Sequence, residues 1–197
     1  MSFDPVYQLL RNLTSPVVAI TTAAGDVRNG FIVNSAQRAS LVPTMPRLSL
    51  YVSKTNYSHD LVYDSGLFAL HLLRQDQFEL IWHLGLQSGR TVDKLATLET
   101  VEGTTGIPLL KDCIAGFECR VVNAMDTGAS TFFLGDVVHT IEGRPGPIMS
   151  SDYFRENMSE ERRIQYENNL FVAMRDLEEL TRSIDRTKLW PGPIRTP

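Results

Sequence analysis

Apolar residues recur at helical spacing near the start of the chain, at Phe3, Val6, Leu9, Leu10 and Leu13. Asp4-Pro5 is a helix start signal, and Ser15-Pro16 ends the run. The period then changes. Residues 17–22, Val-Val-Ala-Ile-Thr-Thr, predict a strand, Ala24-Gly25-Asp26 a turn, Asn29-Gly30 a second turn, and Phe31-Ile32-Val33 a resumed strand. After Pro43 and Pro46, residues 47–53 alternate, with Leu48, Leu50 and Val52 on one face. Residues 57–64 predict a short helix closed by Gly66, residues 67–73 an apolar strand, and residues 76–84 a helix carrying Phe78, Leu80, Ile81 and Leu84. Residues 85–112 hold no sustained period. Residues 114–125 and 131–141 are long β runs joined by Asp126-Thr127-Gly128-Ala129, a hairpin turn. Residues 159–185 predict a final helix, opened by Ser159 with Glu160 and Glu161 and striped by Ile164, Phe171, Met174, Leu177 and Ile184. Trp190 and its prolines read as a tail.

About six strands joined mainly by turns predict a mostly antiparallel sheet, closed into a small barrel flanked by helices. A chain of 197 residues is long enough for one full core and is read as a single domain, with the barrel over residues 16–150. The final helix, at about seven turns, is too long for a small barrel to cover. Residues 159–185 are therefore expected to pack at a dimer interface.

Composition narrows the function classes. A net charge of −4 offers no electrostatic footprint for nucleic acid or for an anionic membrane. Cys113 and Cys119 stand apart from any CxxC or Cys/His spacing, so free buried thiols and no metal are expected. Neither a signal peptide nor a membrane span is visible, and a cytoplasmic protein is expected.

The chemistry concentrates in two polar loops, each following an apolar strand. The first holds Asn34, Ser35, Ala36, Ser40 and Leu41; the second holds Ser53, Lys54, Asn56, Tyr57, Ser58 and His59. Small residues such as Asn, Ser and Ala allow close backbone approach to the polar edge of a ring. Hydroxyls, a lysine and a helix start suit a phosphate. Taken singly, each has a structural reading: Asn34-Ser35 a strand end, Ser58 a helix cap, Lys54 a solvated charge, His59 a surface histidine. His71 reads as a hydrogen-bonded core or interface residue. His83 is either a structural helix residue or one that reaches a ligand.

Residues 16–141 resemble the flavin reductase-like family. The resemblance rests on Gly30-Phe-Ile-Val-Asn-Ser-Ala-Gln-Arg-Ala-Ser40-Leu41-Val-Pro43, then Ser53-Lys54-Thr55-Asn56-Tyr57-Ser58, then Gly66-Leu-Phe68-Ala-Leu-His-Leu72. Asp93-Lys94, Pro108-Leu-Leu110, Glu118-Cys119 and Phe133-Leu-Gly135-Asp-Val137 continue it in the same order. It implies a split β-barrel, mainly β with flanking helices and here a long C-terminal helix, that binds FMN, or FAD, at a homodimer interface. NADH or NADPH would be the transient donor, and a partner monooxygenase a possible acceptor.

Carried over, Asn34, Ser35 and Ala36 face the isoalloxazine edge, with Ser40 and Leu41 beside the ring or its ribityl chain. Ser53, Lys54, Asn56, Tyr57 and Ser58 meet the phosphate, and Lys94 lies near the flavin. No catalytic side chain is assigned, because the cofactor carries the chemistry. The chain departs from the family at the hairpin. Many NAD(P)H-using members have an Asp/Asn-His pair there, whereas this chain has Thr127-Gly128-Ala129-Ser130, with Ser130 at the histidine position. Two readings therefore stand: a flavin reductase or the reductase component of a two-component monooxygenase, and a flavin- or haem-binding carrier, sensor or electron-transfer module on the same barrel.

Overall fold

A computed structural model describes residues 4–194, so Phe3 of the first apolar stripe falls outside it. In chain order the elements are α1 (Pro5–Leu10), β1 (Val18–Ala24), β2 (Val27–Val33), β3 (Gln37–Arg38), β4 (Arg47–Ser53), α2 (Tyr57–Ser65) and β5 (Leu67–Leu72). Then follow α3 (Phe78–Gly85), β6 (Thr100–Glu102), β7 (Pro108–Leu110), β8 (Ala115–Asp126), β9 (Ser130–Glu142), α4 (Ser151–Asn157) and α5 (Glu160–Arg182). None of the described helices is long and apolar enough to cross a membrane.

Seven strands form one antiparallel sheet in the order β2-β1-β5-β8-β9-β4-β3. The edges β2 and β3 do not pair, so the barrel is split rather than closed. The sheet nevertheless curls. Phe31 from β2 and Leu50 and Val52 from β4, near opposite edges, share one core with Ile20, Phe68 and Phe133. Alternation along each strand sends these residues to the concave face. A second core lies on the other face, where Ala19 and Leu73 meet Ile81, Trp82 and Leu84 of α3, Leu95, and Phe154 of α4. Phe154 stacks on Phe78 with centroids 5.8 Å apart. The two cysteines are free and buried, as expected.

Two sequence expectations change. Asn29-Gly30 is not a turn but the middle of β2, paired with Thr22 and Thr21 of β1. The reason is close packing: a Cβ on Gly30 would come within 2.9 Å of Leu84 Cδ2 and 3.1 Å of Leu95 Cδ2. The glycine admits α3 against the sheet instead of reversing the chain. Within residues 85–112, the small β6–β7 hairpin forms where the sequence shows no period. Its turn is anchored by a fully buried carboxylate, Glu118 of β8. That carboxylate accepts from the backbone N–H groups of Thr104 (2.9 Å) and Thr105 (2.6 Å) and from both threonine hydroxyls. Burial pushes the Glu118 carboxyl up, but the bonds from Thr105 and Thr104 outweigh it and hold it below the usual range.

His71 sits wholly inside the core, on β5. The Leu110 N–H donates to its Nε2 (3.0 Å), which leaves Nδ1 to donate to the Ala19 carbonyl (3.3 Å). Burial pushes its pKa from 6.5 down to about 4, against the Ala19 carbonyl, so it is neutral at pH 7. An unfolded chain protonates this residue near pH 6.5, whereas the folded one does so near 4. The unfolded state therefore binds more protons inside that window, and stability falls as pH falls through it. The expected loss from this residue between pH 6.5 and 4.5 is about 2 kcal/mol. Urea midpoints measured across this window should fall with pH, and less so in His71→Asn. A flat midpoint would contradict the assignment.

Candidate functional site

The two polar loops do not form one pocket. They line two cavities, a polar one and an apolar one, on either side of the segment that runs from β2 into residues 34–41.

The polar cavity measures about 240 Å³ and is walled by Asn29, Phe31, Thr55 to Ser58, Leu84 to Arg90, Lys94 and Asn169. Its described lining carries two cations, Arg90 and Lys94, and no carboxylate. Three segments meet here through Asn29. Its buried amide donates to Ser58 Oγ at 2.8 Å. A Cβ on Gly89 would lie 2.5 Å from that same amide, so only glycine lets the 85–94 loop close over it. The helix α2 begins at Tyr57 with Asn56 as N-cap, and the Asn56 side chain makes no cap hydrogen bond. The His59 N–H donates to the Asn56 carbonyl at 3.0 Å, which leaves the N–H groups of Tyr57 and Ser58 available to an anion, with the positive end of the helix dipole behind them. Arg90 lies over the Tyr57 ring at 5.3 Å and donates to the Thr55 carbonyl at 3.4 Å, its guanidinium otherwise exposed.

Lys94 has another set of partners. It is buried, and its ammonium donates to the carbonyls of Leu84 (2.8 Å) and Gln87 (3.2 Å) at the end of α3. There it neutralises the negative end of that helix. Burial pushes its pKa down to about 8. His83 is structural as well: its Nε2 donates to the Lys94 carbonyl at 2.7 Å and its Nδ1 accepts from Gln87 at 3.2 Å.

The apolar cavity measures about 660 Å³. Val18, Leu48, Leu70, Leu72, Phe117 and Val137 form its floor, and Ala36, Ser40, Leu41 and Pro43 form its rim. Leu41 is 82% exposed, a large apolar side chain standing in water at the mouth. Ser40 Oγ accepts from the Val42 N–H at 3.1 Å. Asn34 and Ser35 lie between the cavities. The Asn34 carbonyl accepts from the Ser15 N–H at 3.1 Å, and Ser35 Oγ donates to the Tyr51 carbonyl at 3.1 Å, bridging β2 to β4. From Phe31 in one cavity to Ala36 in the other, the chain reaches at most roughly 17 Å.

Ser53 and Lys54 line neither cavity. Ser53 pairs with Ser130 across β4–β9, and its hydroxyl bonds that of Thr55 at 2.9 Å. Lys54 Nζ reaches both oxygens of Asp126, at 2.9 and 2.8 Å, and the Asp126 side chain is only 6% exposed. The Gly128 N–H adds a third bond to it. Burial raises the Asp126 carboxyl, but Lys54 and Gly128 overcome this and hold it below the usual range. His59, expected at the surface, is buried. Its Nε2 bonds Thr131 Oγ1 at 2.8 Å, its ring stacks on Tyr63, and it faces the core, because the first turn of α2 lies flat on the sheet. Sequence reasoning missed Arg90 and Asn169. Arg90 sits in a stretch without period, and Asn169 on a helix whose polar face carried no other mark.

A family model described as "Flavin reductase like domain" matches residues 10–158. An FMN reductase (NADH), SmoA, of Agrobacterium fabrum is 30% identical over 135 residues, which cover 68% of this chain and 73% of that one. The solved NADH:FAD oxidoreductase SgcE6 of Streptomyces globisporus C-1027 superposes with a TM-score of 0.65 at 27% identity, covering 76% of this chain and 93% of its own. Smaller shares of other relatives are covered. The chain spans 56% of the length of one from Archaeoglobus fulgidus (30% identical over 99 residues, 49% of this chain). It spans 22% of a diflavin flavoprotein from Nostoc (29% identical over 125 residues, 63% of this chain).

The Lys54–Asp126 pair fixes the hairpin turn against the 53–58 loop. Lys54→Ala should lower stability, since it leaves a desolvated carboxylate without its cation. Asp126→Ala in addition should restore part of the loss. Chemical denaturation of both single variants and the double variant should give a coupling of about 1 kcal/mol; strictly additive losses would contradict the pairing.

Proposed function

The chain belongs to the flavin reductase-like family, and from that premise we propose that it is an FMN-binding oxidoreductase. The observation that carries the proposal is the pairing of an apolar cavity with a carboxylate-free cationic one across a single short segment of chain. An amphipathic ligand with a flat ring at one end and a dianionic phosphate at the other matches that division. The residues present fit such a group. A phosphomonoester favours a cation and free N–H groups, which Arg90 and the first turn of α2 supply. A ring edge favours small residues that permit close approach, which Asn34, Ser35 and Ala36 supply.

In this reading Tyr57 and Ser58 hold the phosphate through backbone N–H groups, with the Ser58 hydroxyl turned inward to Asn29; the Asn56 N–H is taken by the Ser53 carbonyl at 3.0 Å, so Asn56 serves through its side chain. Ser53, Lys54 and Lys94 act one step back: Ser53 and Lys54 shape the loop, and Lys94 fixes the end of α3. Asn34 to Ala36 orient the ring, and Ser40 and Leu41 border it. When bound, flavin supplies the capacity to take hydride from NADH or NADPH and pass electrons to free flavin, oxygen or a monooxygenase partner. The chain's own part is to bind, orient and keep water from one face.

A homodimer belongs to the same reading. No residue of α5 is buried, and Ile164 and Val172 are 54% and 48% exposed. Leu41 and Val42 stand out at the mouth of the apolar cavity, and Met45 is exposed a few residues on. A second copy would cover both. Light scattering after size-exclusion chromatography should give twice the chain mass, and a monomer at micromolar concentration would contradict the dimer.

The second reading, a flavin-binding carrier or sensor, is favoured by one observation: the hairpin position that holds histidine in many reductases is Ser130, beside a neutralised Lys54–Asp126 pair. The purified protein should be yellow and release FMN on heating. Arg90→Ala should weaken FMN about tenfold and leave riboflavin unchanged. Anaerobic mixing with NADH and with NADPH should bleach the bound flavin; bleaching by neither selects the carrier, and a colourless protein that takes up no added flavin overturns both readings.

A further inference from the structure

The helix α5 and the segment after it lie beyond residues 10–158, which match the family. This extension is fixed at both ends. Near its start, Arg162 pairs with Glu79 of α3 at 2.7 Å and lies over the Trp82 ring at 5.1 Å. Near its end, the carbonyls of Leu180 and Thr181 press on Gly128 in the β8–β9 turn, where a Cβ would be 2.8 Å from each. The helix spans roughly 27 Å between these anchors. The chain then returns to α2. Trp190 Nε1 donates to the Tyr63 carbonyl at 3.1 Å, its indole covers Gly66, and the Ile194 N–H donates to the Asp64 carbonyl at 2.8 Å. The segment expected to be a loose tail is a clasp.

Between the two anchors of α5, Asn169 lines the polar cavity together with Tyr57 and Ser58 at the start of α2 and Arg90. We propose that α5 is the outer wall of the phosphate end of the flavin site and that it sets the ligand class, admitting a terminal phosphomonoester and rejecting a dinucleotide. The proposal rests on the flavin reading above. Two observations carry it. A cavity of 240 Å³ is below the roughly 300 Å³ at which pockets begin to hold a whole small-molecule ligand. It accommodates a phosphate and the adjoining chain, and an adenylate joined to that phosphate would have to lie outside it, against α5. The wall is also tied at both ends, by the Arg162–Glu79 pair and by its contact with the Gly128 turn. Asn169, exposed on α5, is the helix's one residue on the cavity lining, and its amide can donate to a phosphate oxygen.

Fluorescence titration of the full-length protein with riboflavin, FMN and FAD tests this. The wild type should bind FMN at least tenfold more tightly than FAD. Asn169→Asp places a carboxylate against the phosphate; it should weaken FMN about tenfold and leave riboflavin within twofold, a split that general loosening of the fold would not produce. Asn169→Ala widens the opening and should narrow the FMN-to-FAD ratio at least threefold. A wild type that binds FAD as tightly as FMN overturns the proposal. So does Asn169→Asp that leaves FMN affinity unchanged or weakens FMN and riboflavin equally. A wild type that binds no flavin overturns the flavin reading itself, and this inference with it.

Discussion

A single buried amide holds the candidate site together. Asn29 lies in the middle of β2, 2% exposed, with its Nδ2 on Ser58 Oγ and the 85–94 loop pressed onto it at Gly89. A buried amide must keep its partners or lose a few kcal/mol, so the three segments it joins cannot drift apart independently. The sheet positions Asn29, the α2 serine answers it, and the glycine permits contact. The polar cavity is the space these three leave. Its dimensions thus follow from strand register and helix placement more than from any one ligand-facing side chain.

Charge is distributed by the same logic. Among the cations near the two loops, Lys54 answers the shielded Asp126, Lys94 answers the carbonyls at the end of α3, and Arg47, beside the apolar cavity with the exposed Arg38, pairs with Asp136 at 2.6 Å. Arg90, flat on Tyr57, keeps an open face. A guanidinium is the better residue for that post, because its planar fork can meet a phosphate at two oxygens while it stacks on an aromatic ring. The cavity therefore keeps net positive character although both lysines singled out by the sequence are engaged elsewhere.

The order of elements was legible because it is written in local periods. The alternating run at 47–53, the 57–64 helix ending at Gly66 and the two long β runs around the 126–129 turn all have counterparts in β4, α2, β8 and β9. What escaped was set by distant neighbours. Asn29-Gly30 carries a strong local turn signal, and only Leu84 and Leu95, more than fifty residues away in sequence, make it a strand. Lys54 and Asp126 are 72 positions apart, and the pair is invisible until β4 and β9 are in register. His59 looks like a surface residue until α2 is laid on the sheet against Thr131. The helix α4, seven residues long, is too short for a period to declare it. For the candidate site, the sequence drew attention to the two loops and gave the ring edge to one and the phosphate to the other; the division into two cavities, and the arrival of Arg90 and Asn169 at the polar one, belong to the folded chain.

The central claim is that one flavin lies across both cavities, phosphate in the polar one and ring toward the apolar one. A crystal structure of the protein grown with FMN addresses it directly. The account predicts phosphate oxygens within hydrogen-bond distance of the Arg90 guanidinium and the first-turn N–H groups of α2, with the isoalloxazine edge on Asn34 to Ala36. A flavin bound elsewhere, or one whose phosphate points away from α2 into solvent, would contradict it.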